Sequence, residues 1–291
     1  RLKRHRLKLR AIVLPRRGEV TKRAFIRAEQ EGWLCGTGCV KIELTGKHLV
    51  PEYLYYFMEQ GHVAQWLEQH AVGTTMLNLN TKIVGNLPVR YPEPEVQAEI
   101  ALVLSNYDDS IENSHRRIAL LEESSRLLYQ EWFVRLQFPG HEHIRIVDGV
   151  PEGWKRAKMC DVCASLGGGT PSTTHSEYWD DGNITWVTPS DITRNNCLVL
   201  LDSEKRITEA GLNNSSAKML PPETILMTSR ATLGFFGLSD RSVCTNQGFI
   251  SIIPNEEHMR MFLLHNLIAR REEIVSKASG TTFLEINKST F

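Results

Sequence analysis

Twelve residues in the first third of the chain return, altered, at its end: Gly73-Thr-Thr-Met-Leu-Asn-Leu-Asn-Thr-Lys-Ile-Val84 against Gly280-Thr-Thr-Phe-Leu-Glu-Ile-Asn-Lys-Ser-Thr-Phe291. The correspondence extends upstream, where Cys35-Gly-Thr-Gly-Cys-Val-Lys-Ile42 aligns loosely with Thr245-Asn-Gln-Gly-Phe-Ile-Ser-Ile252, and a helix-like stretch follows in each copy. A period this long, present only twice, is not a solenoid array. It predicts two similar domains rather than one continuous core.

Between the copies, residue spacing predicts one long helix over 95–137. From Ile100, apolar or small residues fall at Leu104, Tyr107, Ile111, Ser114, Ile118, Leu121, Ser125, Leu128 and Trp132. These alternating steps of four and three are the seam of a coiled coil. Pro92 and Pro94 mark the start, because proline fits a first helical turn without losing an intrahelical bond, and Phe138-Pro139-Gly140 marks the end. At about 1.5 Å per residue the helix would run about 64 Å, which suits a spacer. A buried core helix would explain the apolar stripe but neither this length nor the flanking repeats.

The hydrophobic fraction, 41%, is that of a globular protein, and 291 residues suffice for two domains with sizeable cores. No apolar run is long enough to cross a bilayer, and no secretory leader is expected. The chain starts at Arg1 rather than Met, and the second copy stops at Phe291 inside the repeated block. It is therefore expected to be a fragment lacking the start of its first module, the end of its second, and a second long helix. The six cysteines fit free thiols in a reducing cytoplasm better than disulfides. Cys160-Asp-Val-Cys163 has the spacing of half a zinc site or a redox pair, but no second pair or paired histidines accompany it.

Net charge is formally zero, yet residues 1–27 hold eleven Lys or Arg against the single acid Glu19. Such a cluster suits a polyanion partner. It would equally guard a solvated strand edge, and the alternation of Leu7 and Leu9 with Lys8 and Arg10 suggests a strand with one charged face. Residues 151–291 carry 14 basic and 16 acidic side chains, so nucleic-acid binding there would need local placement of polar groups. Two Thr-Pro-Ser turns, Thr170–Ser172 and Thr188–Ser190, offer hydroxyls on stiffened loops, and Gly167–Gly169 would let a loop approach a partner's backbone. Tyr178 and Trp179 could stack on an exposed surface or plug the core, and for the tryptophan the core is the better expectation. Thr228-Ser-Arg-Ala-Thr232 follows the apolar run Ile225-Leu-Met227, which puts Arg230 on a loop, either forked onto guanine or paired with an acid such as Asp191.

Taken together, Gly169-Thr-Pro-Ser172, Tyr178-Trp179, Trp186-Val-Thr-Pro-Ser-Asp-Ile192, the Gly73–Asn80 block and Glu131-Trp-Phe-Val-Arg135 leading to Phe138-Pro-Gly140 resemble the specificity (S) subunit of type I restriction-modification enzymes. Each motif alone is modest; their order over essentially the whole sequence is specific. The family's proline-rich entry to the spacer helix, Pro-Pro-Leu-x-Glu-Gln, stands here as Pro92-Glu-Pro-Glu-Val-Gln97.

The resemblance implies an α+β fold with two α/β target recognition domains joined by a long coiled-coil-type helix. On this reading residues 1–93 are the C-terminal part of the first recognition domain, 94–140 the spacer, and 141–291 a second recognition domain truncated at its end. It further implies a DNA-recognition subunit that reads a bipartite double-stranded target. That subunit would position DNA adenine methyltransferase subunits and restriction-translocase subunits. Two spacer helices would pair antiparallel, so in this fragment the seam is expected to be exposed. Candidate DNA-binding residues are Arg16, Arg17, Arg27, Thr74, Thr75, Thr170, Ser172, Thr188, Ser190, Ser229, Arg230, Asn246, Thr281 and Thr282. Leu104, Ile111, Ile118, Leu121, Leu128 and Trp132 are the candidate partner-binding residues.

No phosphate-binding loop, Asn-Pro-Pro-Tyr type tetrapeptide or glycine pattern for S-adenosylmethionine occurs, so neither catalysis nor a cofactor is expected. Two other readings stay open: a structural adaptor that binds protein, and a truncated DNA-modifying enzyme whose active site lies elsewhere.

Overall fold

The computed structural model describes residues 2–73, 77–280 and 284–286 and divides into two units, 1–114 and 115–291. In the first unit a three-stranded antiparallel sheet has β1 (Ile12–Pro15) between β2 (Ala24–Phe25) and β3 (Cys39–Ile42). Ile12 and Leu14 alternate with half-buried neighbours, as one-sided burial of a strand requires. They pack against helices α1 (Pro51–Phe57), α2 (Gly61–His70) and α3 (Thr81–Gly85) through Leu54, Phe57, Val63, Leu67 and Val84. Pro51 opens α1, and the Asn80 side chain caps α3 by accepting from the Ile83 N–H at 2.9 Å. The charged alternation at residues 7–10 does not form a strand. Leu7 is buried but Leu9 is exposed, and Arg10 takes a left-handed backbone (φ 64°) that breaks extension.

Helix α4 (Pro94–Tyr129) has 36 residues, about 54 Å at the α-helical rise, and passes into a π-helical turn over Gln130–Val134. It ends three residues before the predicted point, where Leu136 turns left-handed (φ 57°). Two domains joined by a long helix is the architecture found.

Residues 94–114 of this helix belong to the first unit. There Gln97 is fully buried: its Oε1 accepts from the Val50 N–H at 2.8 Å, and its Nε2 donates to the His48 and Pro92 carbonyls at 2.7 Å each. A buried amide with its hydrogen bonds met fixes one seating of the helix, because any other would strand polar groups. Tyr56 adds a hydrogen bond to Asp108 at 2.8 Å, and Arg27 pairs with Glu112 at 2.9 Å and Asp109 at 3.4 Å.

In the second unit come the hairpin β4 (Ile146–Val147) and β5 (Val150–Pro151), helix α5 (Met159–Val162), β6 (Cys163–Gly167), β7 (Ile184–Val187), α6 (Pro189–Arg194), β8 (Val199–Leu200), β9 (Lys205–Ile207), α7 (Glu209–Asn213), β10 (Ile225–Arg230), β11 (Thr232–Ser239), β12 (Cys244–Thr245), β13 (Phe249–Pro254), α8 (Arg260–Ala269) and α9 (Arg271–Ser276). The main sheet has the order β6-β13-β10-β11-β8, and a smaller one the order β12-β7-β9. Central strand β10 is buried on both faces. Ile225 and Met227 join Leu263, Leu264 and Leu267 of α8, while Leu226 joins Val187, Ile192 and Phe249. The C-terminal part of α4 seats on α8 through Ser125 Oγ to His265 Nε2 (2.8 Å), Asn266 Nδ2 donating to the Tyr129 hydroxyl (2.8 Å), and Phe133 edge-on to Phe262. Glu122 accepts from the Leu198 N–H at 2.6 Å.

Leu104, Tyr107, Ile111, Ile118, Leu121 and Leu128 are exposed, whereas Ser125 is turned onto His265 and Trp132 is half-buried. All six cysteines are free; Cys163 and Cys244 are buried and Cys160 is exposed. Burial raises the thiols of Cys163 and Cys244, the latter to about 12. Among the described residues no cluster of three or more His, Cys, Asp or Glu could hold a metal ion, and no helix is long and apolar enough to cross a membrane.

Candidate nucleic-acid interface

The repeat seen in the sequence becomes, in three dimensions, one backbone arrangement built twice. In the first unit β1 leaves the sheet through Arg16-Arg17-Gly18. The Arg16 N–H donates to the Gly38 carbonyl (2.7 Å), the Leu79 N–H to the Arg16 carbonyl (2.8 Å), and the Gly18 N–H to the Leu77 carbonyl (3.2 Å). In the second unit β10 ends in Ser229-Arg230-Ala231. Here the Ser229 N–H donates to the Gly248 carbonyl (2.8 Å), the Ile286 N–H to the Ser229 carbonyl (2.9 Å), and the Ala231 N–H to the Leu284 carbonyl (3.1 Å).

Residues 77–79 and 284–286, which continue the repeated block, therefore latch the two tips in the same register. Asn78 bridges to Arg17 and Val72, as Glu285 does to Arg230 and Ser279. Leu79 and Ile286 anchor the latches in the two cores. Each tip also turns on a left-handed residue, Gly18 (φ 79°) and Ala231 (φ 60°). Glycine adopts this region freely, whereas alanine is strained there by about 1–2 kcal/mol.

Arg230 thus lies at the end of a strand that runs three residues further than the predicted Ile225–Met227, at the head of the β10–β11 hairpin. The hairpin register shifts between Met227 and Ser229, and Thr228 Oγ1 accepts from the Phe235 N–H at 3.0 Å. Such a bulge re-aims the side chains beyond it. Asp191 is not the partner of Arg230. Its carboxylate accepts from the Thr188 N–H and hydroxyl, both at 2.7 Å, and from the Glu204 N–H at 3.0 Å. The acid nearest Arg230 is Glu285, at 3.9 Å with both side chains near half-exposed, a geometry worth little in water.

Beside this tip the turn Asn246-Gln247-Gly248 is closed by the Gly248 N–H donating to Asn246 Oδ1 (2.9 Å) and tied to β7 by the Asn246 N–H donating to the Val187 carbonyl (3.1 Å). Thr170 Oγ1 donates to Gln247 Oε1 at 2.6 Å, so Thr170-Pro-Ser172 joins the same rim. The glycines before it approach the chain's own backbone: a Cβ on Gly168 would stand 2.0 Å from the Thr245 carbonyl oxygen. Two tryptophans hold the loop from beneath, Trp186 Nε1 donating to the Gly169 carbonyl (3.0 Å) and Trp179 Nε1 to the Ser172 carbonyl (3.1 Å). They pack edge to face, which settles their role as support for the loop.

Arg230, Thr170 and Ser172 are exposed and Asn246 is half-buried along this rim, and Ser190 is exposed on α6. Thr188 caps α6, and Ser229 is buried within the latch. Thr74, Thr75, Thr281 and Thr282 lie outside the described residues. Gln247 belongs to no motif of its own in the sequence; its place in the aligned block Thr245–Ile252 is the one signal that points to it.

In the first unit the basic cluster is partly neutralised. Lys8 pairs with Glu43, Arg10 with Glu52 in two hydrogen bonds, Lys22 with Glu19, Arg23 with Glu59, and Arg27 with Asp109 and Glu112 of α4. The sequence could not reveal this, because five of those six acidic partners lie outside the cluster itself. Arg16 is half-buried, with no hydrogen-bond partner for its Nε; Arg17 is exposed and has no ion pair among the described residues.

Residues 10–123 and 151–291 match the family model of the type I restriction modification DNA specificity domain. The chain is 35% identical over 143 residues to the type I restriction enzyme MjaIX specificity subunit of Methanocaldococcus jannaschii, a match covering 48% of this chain and 33% of that protein. It is 32% identical over 248 residues to the EcoR124I/EcoR124II specificity subunit of Escherichia coli, covering 79% and 54%. These matches span about a third and about half of the two relatives. Among solved structures, the type I restriction-modification S subunit from M. genitalium has a similar fold (TM-score 0.51, 16% identity, 93% of this chain and 66% of that one). With both repeated units inside the matched residues, the chain belongs to the type I restriction-modification DNA specificity domain family.

Proposed function

We propose that this chain is a sequence-specific DNA-recognition component which reads a double-stranded target in two halves, one per unit, with the length of α4 setting the gap between them. The observation that carries this reading is the duplicated, latched tip, which presents an exposed arginine in each unit. An arginine fork matches the O6 and N7 acceptors of guanine in the major groove, and exposed hydroxyls and amides beside it suit phosphate and base-edge contacts. In the second unit the reading surface is Arg230, Asn246, Thr170 and Ser172, with Ser190 nearby. In the first it is Arg16 and Arg17, whose charge draws in phosphate and makes binding salt-sensitive.

Catalysis belongs to partners: methyltransferase subunits that modify adenine and restriction-translocase subunits, working in the cytoplasm. The exposed stripe Leu104, Ile111, Ile118, Leu121 and Leu128, continued by Trp132, is the surface on which a helical partner would dock. Membership in a family whose members carry specificity-subunit names supports this assignment. The test is selection from duplexes containing two randomised blocks separated by spacers of varied length. Enrichment of a split motif with one preferred gap is expected. Retardation without sequence preference would point instead to an adaptor, and turnover of DNA by the chain alone would point to an enzyme.

A further inference from the structure

Arg17 is exposed, and in sequence it is one basic residue among eleven, with nothing to separate it from a phosphate contact. Its place in the fold separates it. The main-chain bonds that position it are, one for one, those that position Arg230: the preceding residue bonds the turn before a partner strand (Gly38, Gly248) and the returning latch (Leu79, Ile286), and the following residue bonds Leu77 or Leu284. In both units the arginine is followed by a left-handed residue and faces the same cross-strand position, Asn78 or Glu285.

Every backbone group in these bonds is thereby satisfied within the unit, and the guanidinium is the part of the tip left facing solvent. Arg10, Arg23 and Arg27 of the same cluster each have carboxylate partners, but Arg17 has none among the described residues. We infer that Arg17 is the first unit's base-reading residue, contacting guanine in one half of the target as Arg230 does in the other. The inference rests on the DNA-recognition reading above and deepens it, by giving both halves of the target the same reading device.

Selection on the split-duplex library with the whole chain tests it, comparing wild type with Arg17→Ala, Arg17→Lys and Arg230→Ala. Both positions are exposed, and unchanged thermal melting would show that the variants fold. Arg17→Ala should lose about tenfold or more discrimination at a single base pair of one half, leaving the other half and the gap unchanged. Arg230→Ala should do the same in the opposite half. Arg17→Lys should keep most of the affinity but not the preference, since an ammonium lacks the planar fork. Uniform weakening across all sequences by Arg17→Ala, rescued by Lys and accompanied by a shallower salt dependence, would make Arg17 a phosphate contact and overturn the inference while leaving the DNA-recognition reading intact. A wild-type chain that selects no split motif would overturn that reading, and this inference with it.

Discussion

The two units agree where the backbone does the bonding and differ where side chains do. At the tips, three main-chain hydrogen bonds and a left-handed turn recur. At the seats of α4, the first unit uses a buried glutamine, a tyrosine–carboxylate bond and an arginine paired with two acids, whereas the second uses a histidine, a tyrosine–asparagine bond and packed aromatic rings. Duplication preserved what any sequence can supply, a peptide group in a set position. It left free what depends on residue identity. The charge balance diverged in the same way: the first unit concentrates cations and then pairs many of them internally, while the second is nearly neutral and exposes a small polar rim.

The comparison breaks most sharply at the latch anchors. Leu79→Ala and Ile286→Ala should each destabilise their own unit by about 2–5 kcal/mol, as large-to-small changes in a core do. Equal losses in urea denaturation would show that the latches are equivalent in energy as well as geometry. A marked inequality would make the likeness one of shape only. Gln97→Leu comes next, at about 2–3 kcal/mol, because it leaves the Val50 N–H and two carbonyls without partners. The second unit seats α4 without a buried amide of this kind among the bonds described, so thermal melting should place the loss in the first unit.

A pair of opposite substitutions sharpens the tip comparison at smaller cost. Gly18→Ala should destabilise by about 1 kcal/mol through backbone strain alone, since a Cβ there meets nothing within 4 Å. Ala231→Gly should stabilise by less than about 1 kcal/mol, the relief of strain being partly offset by the greater freedom of an unfolded glycine. Opposite signs in denaturant titrations are expected; equal signs would refute a shared conformation.

The smallest effect separates the seats by pH. Burial lowers the His265 pKa below its ordinary value of about 6.5, with Ser125 Oγ 2.8 Å from its Nε2 and the Tyr129 ring stacked beside it. The unfolded chain therefore takes up the proton first. The second unit should lose stability as pH falls through about 6.5, and the loss should level off once the folded form also protonates. His265→Phe should flatten that limb, measured as denaturation midpoints between pH 5 and 8, without altering the first unit.

Much of this organisation is legible in the sequence, and for identifiable reasons. The repeat and the period of the long helix are patterns of residue type at fixed separation, so they survive without coordinates. The Thr170–Ser172 turn and the tryptophans beneath it were also recognisable, although Thr188–Ser190 opens helix α6, and Gly168 and Gly169 lie close to the chain's own Thr245–Asn246 and Ser216–Ala217. Other features could not be read. The pairing of Arg27 with Glu112, and the separation of Arg17 from its basic neighbours, depend on residues brought together from distant segments. The strand end at Arg230 was misplaced because polar Thr228 and Ser229 read as loop, yet both are buried. The equivalence of Arg17 and Arg230 was within reach: the repeat, continued upstream, aligns the apolar runs Ile12–Leu14 and Ile225–Met227 that precede them.

Because the hydrogen bonds that close each tip join peptide groups and the anchoring side chains are those of Leu79 and Ile286, whether the loop forms depends little on which side chains stand at 17, 78, 230 and 285. A scaffold of that kind separates spelling from grammar. On the proposed reading, substitutions there would rewrite what one half of the surface recognises without repair elsewhere, and each copy could be edited while the other keeps its meaning.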